Sequence, residues 1–389
     1  MISFDNTEIA FKSKSDKDLK RAYWLFKIIG VPASVKFGKI ATSLSFSLHL
    51  PIEGMIKKTI FKQFCGGETI QDCASTTSHL NQYNIGTILD YSVEGKTSDE
   101  DFEKTTLEII ATIDKAKGNT AIPFAVFKVT GIARFELLEK ANNINSNLSA
   151  TEKREFQELV ERVDRICNKA YQNKVPLFVD AEDSWIQDTI DRLTESMMVK
   201  YNKESPIIFN TFQMYRHDRL AYIHNCLEAA KIGGYFYGIK LVRGAYMEKE
   251  RERAIEKGYP SPIQPNKEAC DKDYNAAIVY ILDRLDVASL CAGTHNELSS
   301  AYLAKMMEER KLNIADNRIY FAQLLGMSDH ISYTLSNLGY NVAKYVPYGP
   351  IKEVMPYMLR RAEENTSVAG QTGRELNLIN KELNRRKGK

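Results

Sequence analysis

Two hydrophobic rhythms divide the chain. Up to residue 85 the apolar positions recur at helical spacing. Leu19, Tyr23, Leu25, Phe26 and Ile29 follow an acidic–basic start, Pro32 begins another run, and Pro51 precedes Ile52, Met55, Ile56, Ile60 and Phe61. Apolar residues three and four apart bury one face of a helix, so residues 1–85 are expected to form a helical arm whose apolar faces pack on the rest of the protein. From residue 86 short apolar runs alternate with longer amphipathic stretches. The runs span 87–92, 122–130, 176–181, 206–213, 235–242, 288–294, 318–325 and 344–349. They are continuous rather than alternating, which implies strands buried on both faces, hence parallel pairing with helical crossovers. The stretches 151–172 and 296–311 read as two such helices. Eight units close into a (β/α)8 barrel. A doubly wound sheet shows the same alternation, but no G-x-G-x-x-G follows any run, which weakens a dinucleotide-binding version. The expected class is α/β, a (β/α)8 TIM-like barrel over 86–375 with the arm before it and a basic tail over 376–389.

Composition adds limits. Of 389 residues 43% are hydrophobic and 26% charged, ordinary for a globular protein and unlike a disordered one. Lys plus Arg is 53 and Asp plus Glu 50, a net charge of +3, so no nucleic-acid partner is expected. Cys65, Cys73, Cys167, Cys226, Cys270 and Cys291 form no C-x-x-C pair and are expected as buried or free thiols in a reducing compartment. The N-terminus lacks the apolar core of a signal peptide. The uncharged stretch 40–52 is too short and too polar to span a bilayer. The expected location is cytoplasmic, at most peripheral on the inner face of a respiratory membrane.

Polar residues gather where the apolar runs end: Asp90 and Glu94; Lys128; Asp180, Glu182 and Asp183; Gln213; Lys240 and Arg243; Thr294, His295 and Asn296; Gln323; Tyr345 and Tyr348. In a barrel all of these fall on the face where active sites are built. Lys128, Lys240, Arg243, Arg360 and Arg361 outnumber Asp180 and Glu94, which suits a ligand carrying carboxylate or phosphate. The adjacent Arg360 and Arg361 offer several donors to one carboxylate; a solvated pair with Glu363 and Glu364 is the alternative. No metal is expected, since none of the six histidines forms H-x-H or H-E-x-x-H. The run 248–258 alternates in charge sign and reads as an exposed helix.

The segment KLVRGAYMEKER (240–251) resembles the proline dehydrogenase family. FKVTG with Lys128, VDAED with Asp180, FNTFQMY with Gln213, GTHNE with Thr294 and His295, and KYVPYGP followed by YMLRRAEENTS agree in order. The match covers roughly 86–370, and its form is similar to the stand-alone, eukaryotic-type enzymes. The resemblance implies FAD on a (β/α)8 barrel and oxidation of L-proline to 1-pyrroline-5-carboxylate. A hydride passes from C5 to flavin N5, and electrons go on to a quinone. It implies that Lys128, Arg360 and Arg361 hold the carboxylate of L-proline, with Tyr246, Leu324, Tyr345 and Tyr357 around the ring. Glu94 would gate the site by pairing with Arg360, and Glu364 would orient Arg361. Ala181, Gln213, Arg243, Gly244, Ala245, Thr294 and His295 match cofactor contacts, with Val242 facing N5 through its backbone. Asp180 and Lys240 match catalytic positions, Lys240 as the cation beside the flavin N1–C2=O edge. Many bacterial relatives carry Arg in place of Lys240 and Trp in place of Met247. Three other readings stand beside this one: hydroxyproline or a related cyclic imino acid as substrate, a Schiff-base aldolase using Lys128 or Lys240, and a non-catalytic scaffold. Residues 16–65 are expected to mediate homo-oligomer assembly or shallow membrane contact.

Overall fold

The fold was obtained as a computed structural model, which describes residues 2–31, 53–93, 96–367 and 371–388. Each of the eight apolar runs overlaps a strand, two of which, β1 and β8, start two residues earlier: β1 (Ile85–Tyr91), β2 (Phe124–Phe127), β3 (Leu177–Val179), β4 (Ile208–Gln213), β5 (Tyr237–Val242), β6 (Ala288–Gly293), β7 (Ile319–Leu324) and β8 (Val342–Tyr348). They pair in chain order into a closed barrel. β8 closes on β1 in parallel, in register from Ile85 opposite Val342 to Tyr91 opposite Tyr348. The chain is therefore an α/β barrel, as its rhythm predicts.

Inward-facing side chains fill the barrel. Phe124 stacks on Phe178 with ring centroids 4.4 Å apart, and Phe209 meets both edge-on. Ile88, Val126, Cys291 and Ala343 complete this inner cluster, with Tyr345 at its upper edge. The interior is a packed plug, so chemistry is left to the rim.

The longer helices around the barrel include α1 (Asp16–Ile29), α2 (Asp99–Ala116), α3 (Ala150–Asn173), α4 (Ser184–Tyr201), α5 (Arg219–Gly233), α6 (Lys267–Leu282), α7 (Glu297–Glu309), α8 (Asp329–Asn337), α9 (Ile351–Ser367) and α10 (Gln371–Arg386). Local signals set their ends. At the start of α3 the Ser149 hydroxyl accepts from the Glu152 N–H at 3.2 Å, and the Glu152 carboxylate accepts from the Ser149 N–H at 2.7 Å, a reciprocal cap that satisfies two orphan donors. The helix then buries Leu159, Val163, Ile166 and Ala170, one stripe at helical spacing.

α1 buries Leu19, Ala22, Phe26 and Ile29 against α9, α10 and the helical turns of 53–64. Phe26 meets Phe64 edge-on at 6.5 Å, and Val354, Met358, Leu378 and Ile379 share the cluster. The stretch 376–389, expected as a basic tail, is helical as far as Arg386. Its charged residues mask an apolar stripe, Leu376, Ile379 and Leu383, which packs on the same cluster. The basic side chains Arg385 and Arg386 pair with the buried Glu382. The run begun at Pro32, with Pro51 and Ile52, lies outside the described residues.

All six cysteines are free and buried, as expected. The run 248–258 overlaps the helix Met247–Lys257, but Glu250 is buried within it. Its carboxylate accepts from the Ser184 N–H at 2.7 Å and from the Ser184 hydroxyl at 2.5 Å. That helix is thus tied to the start of α4 rather than fully solvated.

Candidate active site

The ends of β1, β2, β3, β5 and β8 bring five side chains into one connected network. Lys240 points inward from β5, forms an ion pair with Asp180, and donates to the Tyr345 hydroxyl at 2.5 Å. Tyr345 donates to the same Asp180 oxygen at 3.1 Å. The other oxygen of Asp180 lies 3.3 Å from the Lys128 ammonium, which also donates to both oxygens of Asp90 at 3.2 and 3.3 Å. Ser92 donates to Asp90 at 2.7 Å. Asp90, Asp180 and Lys240 are all buried. Burial opposes ionisation of Asp180, but the charges of Lys240 and Lys128 prevail and hold its carboxyl below the usual range. Burial, reinforced by the neighbouring Asp180 carboxylate, holds the Tyr345 phenol well above its ordinary value. Tyr345 is therefore a neutral donor with a fixed hydroxyl, and the resemblance assigned it only a place around the ring.

A second set surrounds Arg243, just past β5. Its guanidinium donates to Asp271 at 2.8 Å, to the Thr294 hydroxyl at 2.5 Å and to Ser299 at 2.8 Å, and it lies 4.3 Å from the Tyr274 ring centroid. Gln323 donates to the Thr294 carbonyl at 3.1 Å and accepts from Ser332 at 2.8 Å. Gln323 thus supports the loop that carries Thr294. His295 Nδ1 lies 2.9 Å from the Ser328 hydroxyl. Burial, followed by the charges of Lys344 and Arg361, pushes the His295 ring down to about 3, so the imidazole is neutral at physiological pH.

The Arg pair sits on α9. Arg361 is 8% exposed, with its guanidinium 5.1 Å from the Tyr357 ring centroid; Arg360 is half-buried and near Asp183, whose carboxyl burial raises although Lys249, Arg253 and, least, Arg360 oppose it. The burial of Arg361 disfavours the solvated alternative. Leu324, at the end of β7, is half-buried against both the barrel plug and the α1–α9–α10 cluster. Tyr246 is half-buried and Ala245 exposed at the rim. Glu94 lies outside the described residues, as does the Glu364 side chain.

The expected surplus of cations is not what the fold assembles. Asp90, Asp180 and Asp271 converge on the same rim, so Lys128, Lys240 and Arg243 each face a carboxylate partner. Asp90 and Asp180 were visible at strand ends; Asp271 and the pairing of each cation were not, because a sequence lists neighbours along the chain, not across the mouth. Glu182 is 6% exposed, and desolvation pushes its carboxyl up to about 7 against hydrogen bonds from Thr130 and the charge of Lys128. Lys344 was also missed. It is buried behind β8, donates to the Met327 carbonyl at 2.7 Å and pairs with Asp329 at 2.7 Å. A charged residue inside an otherwise buried strand was its sequence signal.

The residues present fit a flavin. Gln213 is 3% exposed, and its side-chain oxygen has no hydrogen-bond partner among the described residues. A buried acceptor left unpaired is costly, by about 1–3 kcal/mol, unless a ligand N–H meets it. Gly244 has φ +122°, and a Cβ there would lie 2.6 Å from the Tyr215 ring, so only glycine fits this rim turn. Val242 is half-buried at the end of β5, and its carbonyl accepts from the Met214 N–H at 2.8 Å. Ala181 is half-buried beside Asp180. Among the described residues no group of three or more His, Cys, Asp or Glu is placed to hold a metal ion.

A sequence profile of the proline dehydrogenase family matches residues 73–374. The chain belongs to that family. Proline dehydrogenase 1, mitochondrial, of Dictyostelium discoideum is 33% identical over 98% of this chain and 74% of its own length. Hydroxyproline dehydrogenase of Xenopus laevis is 31% identical over 99% of this chain and 90% of its own. Among solved structures, proline utilization A (PutA) from Bdellovibrio bacteriovorus aligns with a TM-score of 0.74 at 17% identity, over 95% of this chain and 40% of that one. That likeness shows a shared fold, and the present chain spans well under half of the longer protein.

Proposed function

We propose that this chain oxidises L-proline to 1-pyrroline-5-carboxylate with FAD as cofactor and passes the electrons to a quinone. One observation carries the reading. In a chain of this family, the Asp90–Lys128–Asp180–Lys240–Tyr345 network lies at the mouth of a plugged barrel, and Arg361 is buried on α9. Arg361, Arg360 and Lys128 would hold the substrate carboxylate. A carboxylate fixed at one end of a small ring sets where C5 lies at the other, and such orientation lowers a barrier through pre-paid entropy. Tyr345, Tyr357, Leu324 and Tyr246 would enclose the ring, and Glu94 would gate it.

FAD, when bound, supplies the hydride acceptor. Gln213, Arg243, Thr294 and His295 would hold it, with the Ala181, Val242, Gly244 and Ala245 backbone alongside. Lys240, fixed by Asp180 and Tyr345, would offer a cation to the negative charge that develops on the bound cofactor. Asp180 holds that cation and the Lys128 cation together. The aldolase alternative loses ground, because carboxylates engage the ends of both lysines, and a carbonyl would have to displace them.

The test is an absorbance spectrum of the purified protein before and after anaerobic L-proline. The expected result is a yellow protein whose flavin band bleaches. A colourless protein that borohydride traps with a carbonyl substrate would overturn the reading. The Xenopus relative makes hydroxyproline the second substrate to try, and bleaching by trans-4-hydroxy-L-proline with no response to L-proline would move the assignment to that imino acid.

A further inference from the structure

One buried carboxylate at the mouth holds a loop instead of facing the site. Glu182 lies two residues beyond Asp180, on the segment leaving β3. Both of its oxygens turn toward the single helical turn Val129–Gly131, which directly follows Lys128. The Thr130 N–H donates to one oxygen at 3.0 Å, and the Thr130 hydroxyl donates to the other. Behind it, the Glu182 N–H donates to Gln187 at 2.8 Å, and Gln187 donates to Asp191 at 2.9 Å. Asp191 is ion-paired with Arg219 at 2.8 Å, with both side chains buried. An unbroken polar chain therefore runs from α5 through α4 to the turn that carries Lys128.

This backing matters because of what Lys128 must do. Its long side chain has several rotatable bonds, and Asp90 and Asp180 hold only the far end. The near end is set by the backbone of the turn. Two hydrogen bonds from one residue to one carboxylate fix both position and tilt of that turn, as a bidentate contact does.

We propose that Glu182 is a positioning residue for substrate recognition, clamping Thr130 so that the Lys128 ammonium meets the carboxylate of the incoming imino acid. The inference rests on the reading above, in which Lys128 binds that carboxylate. Glu182 touches neither substrate nor cofactor in this role; it acts through the turn.

The test uses the full-length, flavin-loaded enzyme with L-proline as the varied substrate. Glu182→Ala is expected to raise KM by about tenfold, the equivalent of one lost hydrogen bond, with kcat and flavin content unchanged. Glu182→Gln is expected to restore KM, since an amide both accepts from the Thr130 N–H and donates to its hydroxyl oxygen. In a Lys128→Ala background, Glu182→Ala is expected to add nothing, because residues acting as one unit are non-additive. Thr130→Val removes one of the two bonds and gives a smaller rise in KM, and it serves if Glu182→Ala does not fold. A rise in KM for Lys128→Ala with none for Glu182→Ala or Thr130→Val would overturn the clamp and leave the functional reading standing. Additive effects in the double variant, or a loss of kcat that Gln does not rescue, would also overturn it. An unchanged KM in Lys128→Ala would instead remove the reading on which the clamp depends.

Discussion

Asp180 shows how much one residue at the mouth depends on its neighbours. It serves two ammonium groups and one phenol at once. Removing one partner of a buried pair leaves an uncompensated charge, which costs about 3–5 kcal/mol. The members were visible in the sequence, each at a strand end. Their pairing was not, because Lys240 lies 60 positions from Asp180 and 105 from Tyr345. At the same scale, Arg361→Ala is expected to raise KM for L-proline by roughly 10- to 150-fold, the range for a lost hydrogen bond to a charged group, with flavin content unchanged. Steady-state kinetics with a flavin absorbance ratio checks it, and unchanged saturation by L-proline would remove Arg361 from the carboxylate site.

α9 is the element on which the site leans hardest. It carries Arg360 and Arg361 and buries Val354, Tyr357 and Met358 in the cluster it shares with α1 and α10. Periodicity revealed that α1 is a helix with one apolar face. It did not reveal what the face meets, since a hydrophobic stripe states a need for burial and not a partner. The same limit hid α10, whose apolar residues are outnumbered by charged ones. Phe26→Ala, which empties the position facing Phe64, is expected to destabilise the protein by about 3–5 kcal/mol. Loosening α9 is also expected to raise KM for L-proline. A urea midpoint measured with the kinetics checks both, and a full destabilisation with unchanged KM would uncouple the α1 cluster from the site.

Over the whole molecule, α1 leaves one face outward. Trp24 is 59% exposed and Ile28 56%, with Val31 beyond them and Lys17, Lys20 and Lys27 interspersed. Lys27 lies 5.0 Å from the Trp24 ring centroid. No described helix is long and apolar enough to cross a membrane. An aromatic and aliphatic stripe among lysines suits shallow contact with an anionic lipid surface, where a quinone would be met. Deleting residues 16–65 would be a poor test, since it also removes the second core. Trp24→Ser with Ile28→Ser is sharper: both side chains point outward. Partition into anionic vesicles is expected to fall by at least about tenfold, since burial of each large apolar side chain is worth about 1.5–3 kcal/mol. The thermal midpoint and flavin content are expected to stay unchanged. Equal sedimentation of both proteins with vesicles would exclude this face.

The sequence by itself determined the strands, their parallel pairing, the barrel and the side from which polar groups reach the mouth. These follow from local hydrophobic period, which is written along the chain. It also supplied the motifs that place the chain in its family. Tertiary structure alone decided which charge neutralises which, that the N-terminal and C-terminal helices share one core behind α9, and that Glu182 backs the Lys128 turn. Each of these joins residues far apart in sequence. A contact of that kind exists only once the backbone has closed, so its energy leaves no periodic trace in the chain.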